Sequence, residues 1–228
     1  MVQYDDFADT FGRSRDNLLW PELDGLLTDF TTHFADRDEW RIGDIGCGNG
    51  RLLEHIAREP FLDIFTSKKV SYTGLDLSQN LLEQAQKKTQ LVSSFENISW
   101  VHGDMLDIGT LCSEKIFDSL FFVASFHHLA DFQQRLAVLR DAQNLLAPGG
   151  RIMMINWNLL HESQTRYSSS RIQSYENGST DFVIKIGQHQ RFYHAFSEQE
   201  YQSLAQERGL SLSLLDFGER NSICIFSL

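Results

Sequence analysis

The sequence predicts an α/β fold: a doubly wound, mostly parallel seven-stranded sheet with an antiparallel last strand and helices on both faces. Three observations carry this. Short apolar runs alternate with amphipathic runs over residues 41–157, a pattern that implies parallel strands joined by crossover helices. A glycine-rich turn, "DIGCGNG" at residues 44–50, follows the first of those strands. The chain then closes with two apolar runs around "GERN", a hairpin-like turn that returns an antiparallel strand to the sheet. A chain of 228 residues is enough for one such domain.

Element by element, "WRIGDIG" reads as the first buried strand, and "NGRLLEHIAR" as a helix with Leu52, Leu53 and Ile56 on one face. The stretch "REPFLDIFTSKKV" reads as a loop extension. "VSYTGLDLS" is the second strand, and "SQNLLEQAQKKTQ" the second helix with Ser78 as its N-cap. "NISWVHGDML" and "FDSLFFVASF" are the third and fourth strands. "DFQQRLAVLRDAQNLL" is an amphipathic helix that stops at "APGG", where Pro148 cannot continue it; "GRIMMINW" is the fifth strand. Residues 158–190 are polar and Ser-rich and read as a variable, mobile insertion. "FSEQEYQSLAQERG" is a helix in which Ser197 and Glu200 form a capping box. The expected organisation is a single domain over 1–228: an N-terminal helical cap or lid at 1–40, a binding core at 41–157, the insertion at 158–190, and a C-terminal helix and strand hairpin at 191–228.

Composition narrows the function. With 20 Lys+Arg against 31 Asp+Glu, the net charge is -11. An acidic chain is a poor non-specific binder of phosphate backbone, whose affinity comes from cations. The three cysteines, Cys47, Cys112 and Cys224, are scattered and form no CxxC pair, so no disulfide framework or metal site is expected and a reducing cytoplasm suits the chain. No apolar run is long enough to span a membrane.

The glycines let a ligand approach the backbone and aim the next helix's N-terminus at it. The spacing is Gly46-x-Gly48-x-Gly50, and Asp44 precedes it. A carboxylate there suits an ammonium group better than a pyrophosphate. Asp76 ends the second strand, where an acid accepts hydrogen bonds from ribose hydroxyls. Asp104 follows the third strand and is placed to bond an exocyclic amine, with Leu77 and Met105 on either side of a ring. Three acids at the carboxyl ends of three successive strands occupy the edge where open α/β sheets bind ligands.

This ordered set resembles the class I S-adenosylmethionine-dependent methyltransferases, whose fold is Rossmann-like: "DIGCGNG", "GLDLS", "GDM", "FDSLFFVASFHHL" and "LLAPGGRIMMINW" look like that family's motifs in order. The resemblance implies S-adenosyl-L-methionine as cofactor. Asp44, Gly46, Cys47, Gly48 and Asn49 would face its methionine part, Asp76 and Leu77 its ribose and ring, Gly103, Asp104 and Met105 its adenine, and Ala124 would line it from the fourth strand. Tyr4 and Arg15 would close over it. The ends of the chain, "HHL", "NW" and "RFYHAF" look like the branch holding the tRNA wobble-uridine carboxymethyl methyltransferases and their bacterial relatives. That branch implies tRNA as acceptor and a small activating protein partner; the acidity of the chain points instead to a small-molecule acceptor. A non-catalytic binder of the same fold is the third reading.

A sulfonium methyl group is already activated, so the enzyme has mainly to align a nucleophile and exclude water. A carboxylate acceptor needs a cation to hold it, for which Arg191 and Arg15 are candidates. A hydroxyl or amine needs a base, for which His127, His128 and His194 are candidates. Tyr193, between Arg191 and His194 in "RFYHAF", completes the expected catalytic group. That same segment can also be a strand whose aromatics pack on the sheet.

Overall fold

The computed structural model describes residues 20–228, apart from the side chains of Glu162 and Ser163. Tyr4 and Arg15 lie outside the described residues.

The helix α1 (Pro21–His33) has Pro at its start, where its missing N–H costs nothing, and buries Leu23, Leu26, Leu27 and Phe30. The strand β1 (Glu39–Ile45) follows, then α2 (Arg51–Ile56) and α3 (Phe61–Thr66). The α3 helix occupies the stretch expected as a loop extension, because Phe61 and Phe65, four apart, both reach the core. After β2 (Lys69–Asp76), Ser78 caps α4 (Gln79–Gln86) by accepting the Leu81 N–H. The strand β3 (Asn97–His102), a short α5 (Ile108–Leu111) and β4 (Phe117–Val123) lead to α6 (Phe132–Asn144), capped by Asp131. The strand β5 is longer than expected, Leu146–Trp157.

These strands make one seven-stranded sheet with the Ser211–Phe217 strand (β9) and the Asn221–Ser227 strand (β10), in the order β3-β2-β1-β4-β5-β10-β9. The pairs β1–β2, β2–β3, β1–β4 and β4–β5 are parallel, and the last strand, β10, runs antiparallel to both β5 and β9. The two faces are buried by different layers. Leu120, Phe122, Ile152 and Met154 pack under α6 and α7 (Glu198–Arg208), while Phe121, Met153 and Ile155 pack with α1, α2 and α3. That alternation along one strand is the period-two signature of a sheet covered on both sides.

The insertion is a correction. It contains a second, three-stranded antiparallel sheet of β6 (Arg171–Ser174), β7 (Thr180–Ile186) and β8 (His189–Ala195). The expected boundary between residues 190 and 191 therefore falls inside β8. This accessory sheet has its own small core of Leu159, Phe182, Ile184, Tyr193 and Ala195. The capping box at α7 forms only by half: Ser197 accepts the Glu200 N–H, but the Glu200 carboxylate turns inward to His194 and Arg135. Among the described residues, no helix is long and apolar enough to cross a membrane.

Candidate active site

Strand order reverses between β1 and β4, and a ligand crevice is expected outside the carboxyl ends of the strands there. A cavity of about 280 Å³ opens at that point. Its floor is the loop after β1. The N–H groups of Gly46 and Cys47 both donate to Leu75 O, at 2.7 and 3.0 Å, which folds the loop back over β2. Gly46 has φ +73°, and a Cβ on it would lie 2.4 Å from the Ser125 Cβ. Gly48 has φ +54° and nothing within 4 Å of where its Cβ would be: that open space is the cavity itself.

All eleven described residues expected to bind the cofactor line this cavity: Asp44, Gly46, Cys47, Gly48, Asn49, Asp76, Leu77, Gly103, Asp104, Met105 and Ala124. Asp44 is 1% exposed. Its Oδ2 accepts the Tyr72 hydroxyl at 2.5 Å, whereas its buried Oδ1 accepts no hydrogen bond from the described residues. Burial pushes the Asp44 carboxyl up to about 7, against the Tyr72 hydrogen bond and with help from the charge of Asp76. Asp76 accepts the Ser78 N–H on Oδ1 at 2.8 Å and the Gly48 N–H on Oδ2 at 2.7 Å. Burial raises its carboxyl above the ordinary range, and those two N–H groups and the nearby Arg191 hold the rise back. Burial likewise pushes the Cys47 thiol up, so it is no nucleophile at neutral pH. Asp104 accepts the Leu106 N–H at 3.0 Å. Ala124 is the one non-glycine among the described residues with positive φ, +55°, a strained conformation of the kind held at functional sites.

Of the four residues expected to be catalytic, only Arg191 lines the cavity. His127 is 1% exposed; its Nδ1 accepts the Trp157 N–H at 3.2 Å and its ring packs on Tyr193. Tyr193 is stacked on Trp157 at 4.7 Å, in the core of the accessory sheet. His194 is fully buried, with Nδ1 2.6 Å from Asp181 and Nε2 2.7 Å from Glu200. The two histidines lie on one 3-10 turn, Phe126–His128, where successive side chains point about 120° apart, and it is His128, not His127, that reaches the cavity. His128 Nδ1 lies 2.8 Å from Phe192 O and its Nε2 lies 3.0 Å from Arg191 Nη2. A carbonyl can only accept, so Nδ1 carries the proton and Nε2 accepts from the guanidinium.

Trp20, Arg51, Ser125, Leu129 and Gln134 also line the cavity and were not read from the sequence as site residues. Tyr72 was missed too. Its signal is a tyrosine inside a buried parallel strand, which needs a partner for its hydroxyl.

Residues 36–209 match the family described as a methyltransferase domain. The chain belongs to the S-adenosylmethionine-dependent methyltransferases. This methyltransferase is 28% identical over 163 residues to the 27-O-demethylrifamycin SV methyltransferase of Amycolatopsis mediterranei (strain S699), covering 66% of this chain and 55% of that protein. It is 27% identical over 159 residues to a tRNA (carboxymethyluridine(34)-5-O)-methyltransferase of Xenopus tropicalis, covering 70% of this chain and 21% of that protein. The chain thus spans about half of one relative and a fifth of the other. In fold it is similar to an S-adenosylmethionine-dependent methyltransferase from Clostridium acetobutylicum ATCC 824, with TM-score 0.67 at 14% identity, over 99% of this chain and 98% of that one.

The donor set of the cavity fits S-adenosylmethionine. A buried carboxylate oxygen without a hydrogen bond, Asp44 Oδ1, suits an ammonium. Asp76 can accept from hydroxyls, and the half-exposed Leu77 and Met105 offer apolar surface to a ring. When bound, the cofactor supplies an activated methyl group. The chain supplies binding, alignment and exclusion of water.

Proposed function

We propose that this methyltransferase esterifies a carboxylate on a small-molecule acceptor. In this reading Asp44 takes the cofactor's ammonium, Asp76 its ribose, and Leu77, Asp104 and Met105 its adenine. The Arg191–His128 pair in the cavity carries the acceptor assignment. A general base needs a lone pair directed at the acceptor, but His128 Nδ1–H faces a carbonyl and Nε2 faces Arg191. The pair is built to hold an acceptor oxygen that arrives already ionised, which a guanidinium grips through two N–H groups. His128 then orients Arg191 rather than moving a proton.

The purified chain, S-adenosylmethionine and a panel of small carboxylic acids, phenols and amines test this. The expected product is a methyl ester, recognised by methanol released in mild alkali. Arg191→Lys should cut turnover about 100-fold, because a point charge cannot replace the fork, while binding of S-adenosylhomocysteine stays within a factor of a few. An alkali-stable methyl ether or methylamine, or undiminished turnover in that variant, would overturn the carboxylate assignment.

A second reading, methylation of a carboxymethyl group on a tRNA wobble uridine in the cytoplasm with a small activating partner, is favoured by the Xenopus relative. It uses the same carboxylate chemistry, so bulk tRNA belongs in the same acceptor panel.

A further inference from the structure

The corner of the cavity around Asp44 holds one satisfied and one unsatisfied carboxylate oxygen. Oδ2 accepts the Tyr72 hydroxyl at 2.5 Å, and Oδ1 is buried without a hydrogen bond from any described residue. Tyr72 is itself 1% exposed, on the neighbouring strand, with its ring edge-on to Trp100 at 5.7 Å. It cannot rotate away without opening the core. A buried carboxylate left this way either keeps a proton or awaits a cation.

We infer that Tyr72 is a positioning residue for the cofactor: it fixes Asp44 through Oδ2 so that Oδ1 meets the cofactor's ammonium, and cofactor binding expels a proton from Asp44. The inference rests on the cofactor assignment above. The balance is simple. In the free chain the Asp44 acid O–H is intact; on binding it breaks, its proton passes to the buffer, and Oδ1 accepts an ammonium N–H. Nothing is oxidised or reduced.

Among the described residues, the groups that face this corner are Tyr72 and Asp76 from β2 and Cys47 from the loop. Arg51 from α2, Asp104 after β3, His128 after β4 and Arg191 from β8 share the cavity. Of these, Tyr72 and Asp76 bear directly on the Asp44 proton, after burial itself, and together they leave Asp44 titrating at about 7. Tyr72 favours the carboxylate and Asp76 opposes it. The sign of the linkage follows. Below about pH 7 a proton must leave on binding, so affinity falls as pH falls, by up to tenfold per unit. At higher pH Asp44 is already ionised and the dependence on its proton ends.

The test is calorimetric titration of the full chain with S-adenosylhomocysteine between about pH 5 and 6.7, a unit or more below the α-amino pKa of about 7.7–8.0, in two buffers of different ionisation enthalpy. Wild type should release nearly one proton at the acid end, seen as a buffer-dependent heat. Tyr72→Phe removes the donor that favours the carboxylate. Its affinity curve should move to higher pH, so its deficit against wild type is largest at the acid end and shrinks as pH rises, whereas a merely structural role would lower affinity equally at every pH. Asp44→Asn should bind weakly and lose the dependence. Buffer-independent heats with pH-flat, intact binding in wild type would overturn the proton linkage and leave the cofactor assignment standing. No binding at any pH would overturn both.

Discussion

At the scale of single residues, two glycines in one loop do different work. Gly46 has no room for a methyl group, since Ser125 lies 2.4 Å from the position its Cβ would take. Ser125 cannot yield easily, because its Oγ donates to Ile45 O at 2.5 Å. Gly46→Ala should therefore cost several kcal/mol, from strain at positive φ plus overpacking, each about 1–3 kcal/mol, and should lower the melting temperature markedly. Gly48 meets nothing within 4 Å. Gly48→Ala should cost only the left-handed strain of about 1–2 kcal/mol, but its methyl group would stand in the space assigned to the cofactor. The expected result is a chain that folds and loses at least tenfold in S-adenosylhomocysteine affinity by calorimetry. A Gly48→Ala variant that binds normally would move the cofactor away from this loop. Both glycines were legible from spacing alone. Which of them guards the fold and which guards the ligand was not, because that depends on Ser125, 79 positions further along the chain.

At the scale of elements, the accessory sheet is held to the core by a buried ionic cluster. His194 on β8 faces Asp181 on β7 and Glu200 on α7; Arg135 on α6 meets Glu200 at 3.0 Å and also donates to Leu129 O, while Tyr175 donates to Asp181 at 2.6 Å. Leu129 lines the cavity, and β8 carries Arg191, so the cluster ties the layer that carries Arg191 to the rim of the cavity. His194→Ala should destabilise the chain by about 3–5 kcal/mol, the cost of leaving buried charges without their partner, measured as a lower denaturation midpoint. Burial alone would raise Glu200, but the His194 hydrogen bond and the charges of His194 and Arg135 overrule it and hold the carboxyl below its usual range. A depressed folded value means a stabilisation present above the ordinary glutamate value, about 4.3, and lost as pH falls through the folded value. Wild type should therefore lose stability in acid below about pH 4 more steeply than Glu200→Gln.

These contacts also show where sequence reading stopped. The parallel core was legible because strands covered on both faces are long apolar runs. The accessory sheet has one exposed strand, Arg171–Ser174, and a Ser-rich approach, so composition suggested a loop. The overlooked signal was "DFVIKIGQHQRFYHAF": alternating residues either side of Gly187 and Gln188, with Ile186 paired to His189, a two-residue hairpin. His194 was read as a candidate base because an imidazole changes charge near neutral pH. Its burial between two carboxylates comes from α7 and β7, which the local segment does not encode.

At the scale of the whole molecule, charge gives the two proposed acceptor classes different salt dependences. The chain carries 20 Lys+Arg against 31 Asp+Glu, and the cavity adds Asp44, Asp76 and Asp104 against Arg51 and Arg191. A guanidinium in a recess, such as Arg191, can grip one small carboxylate at short range, where solvent and salt screen little. Two cations cannot track a polyanion, whose affinity grows with the number of phosphates neutralised at once. Transfer to a small acid should thus change only modestly between about 50 and 200 mM salt, while the isolated chain should fail to retain tRNA on a filter at the upper concentration. Retention there, with affinity falling steeply and linearly in log salt, would reveal a basic track that the net charge conceals and would make the wobble-uridine carboxylate the acceptor. The chemistry at Arg191 would be the same in either case; only the surface that delivers the carboxylate would differ.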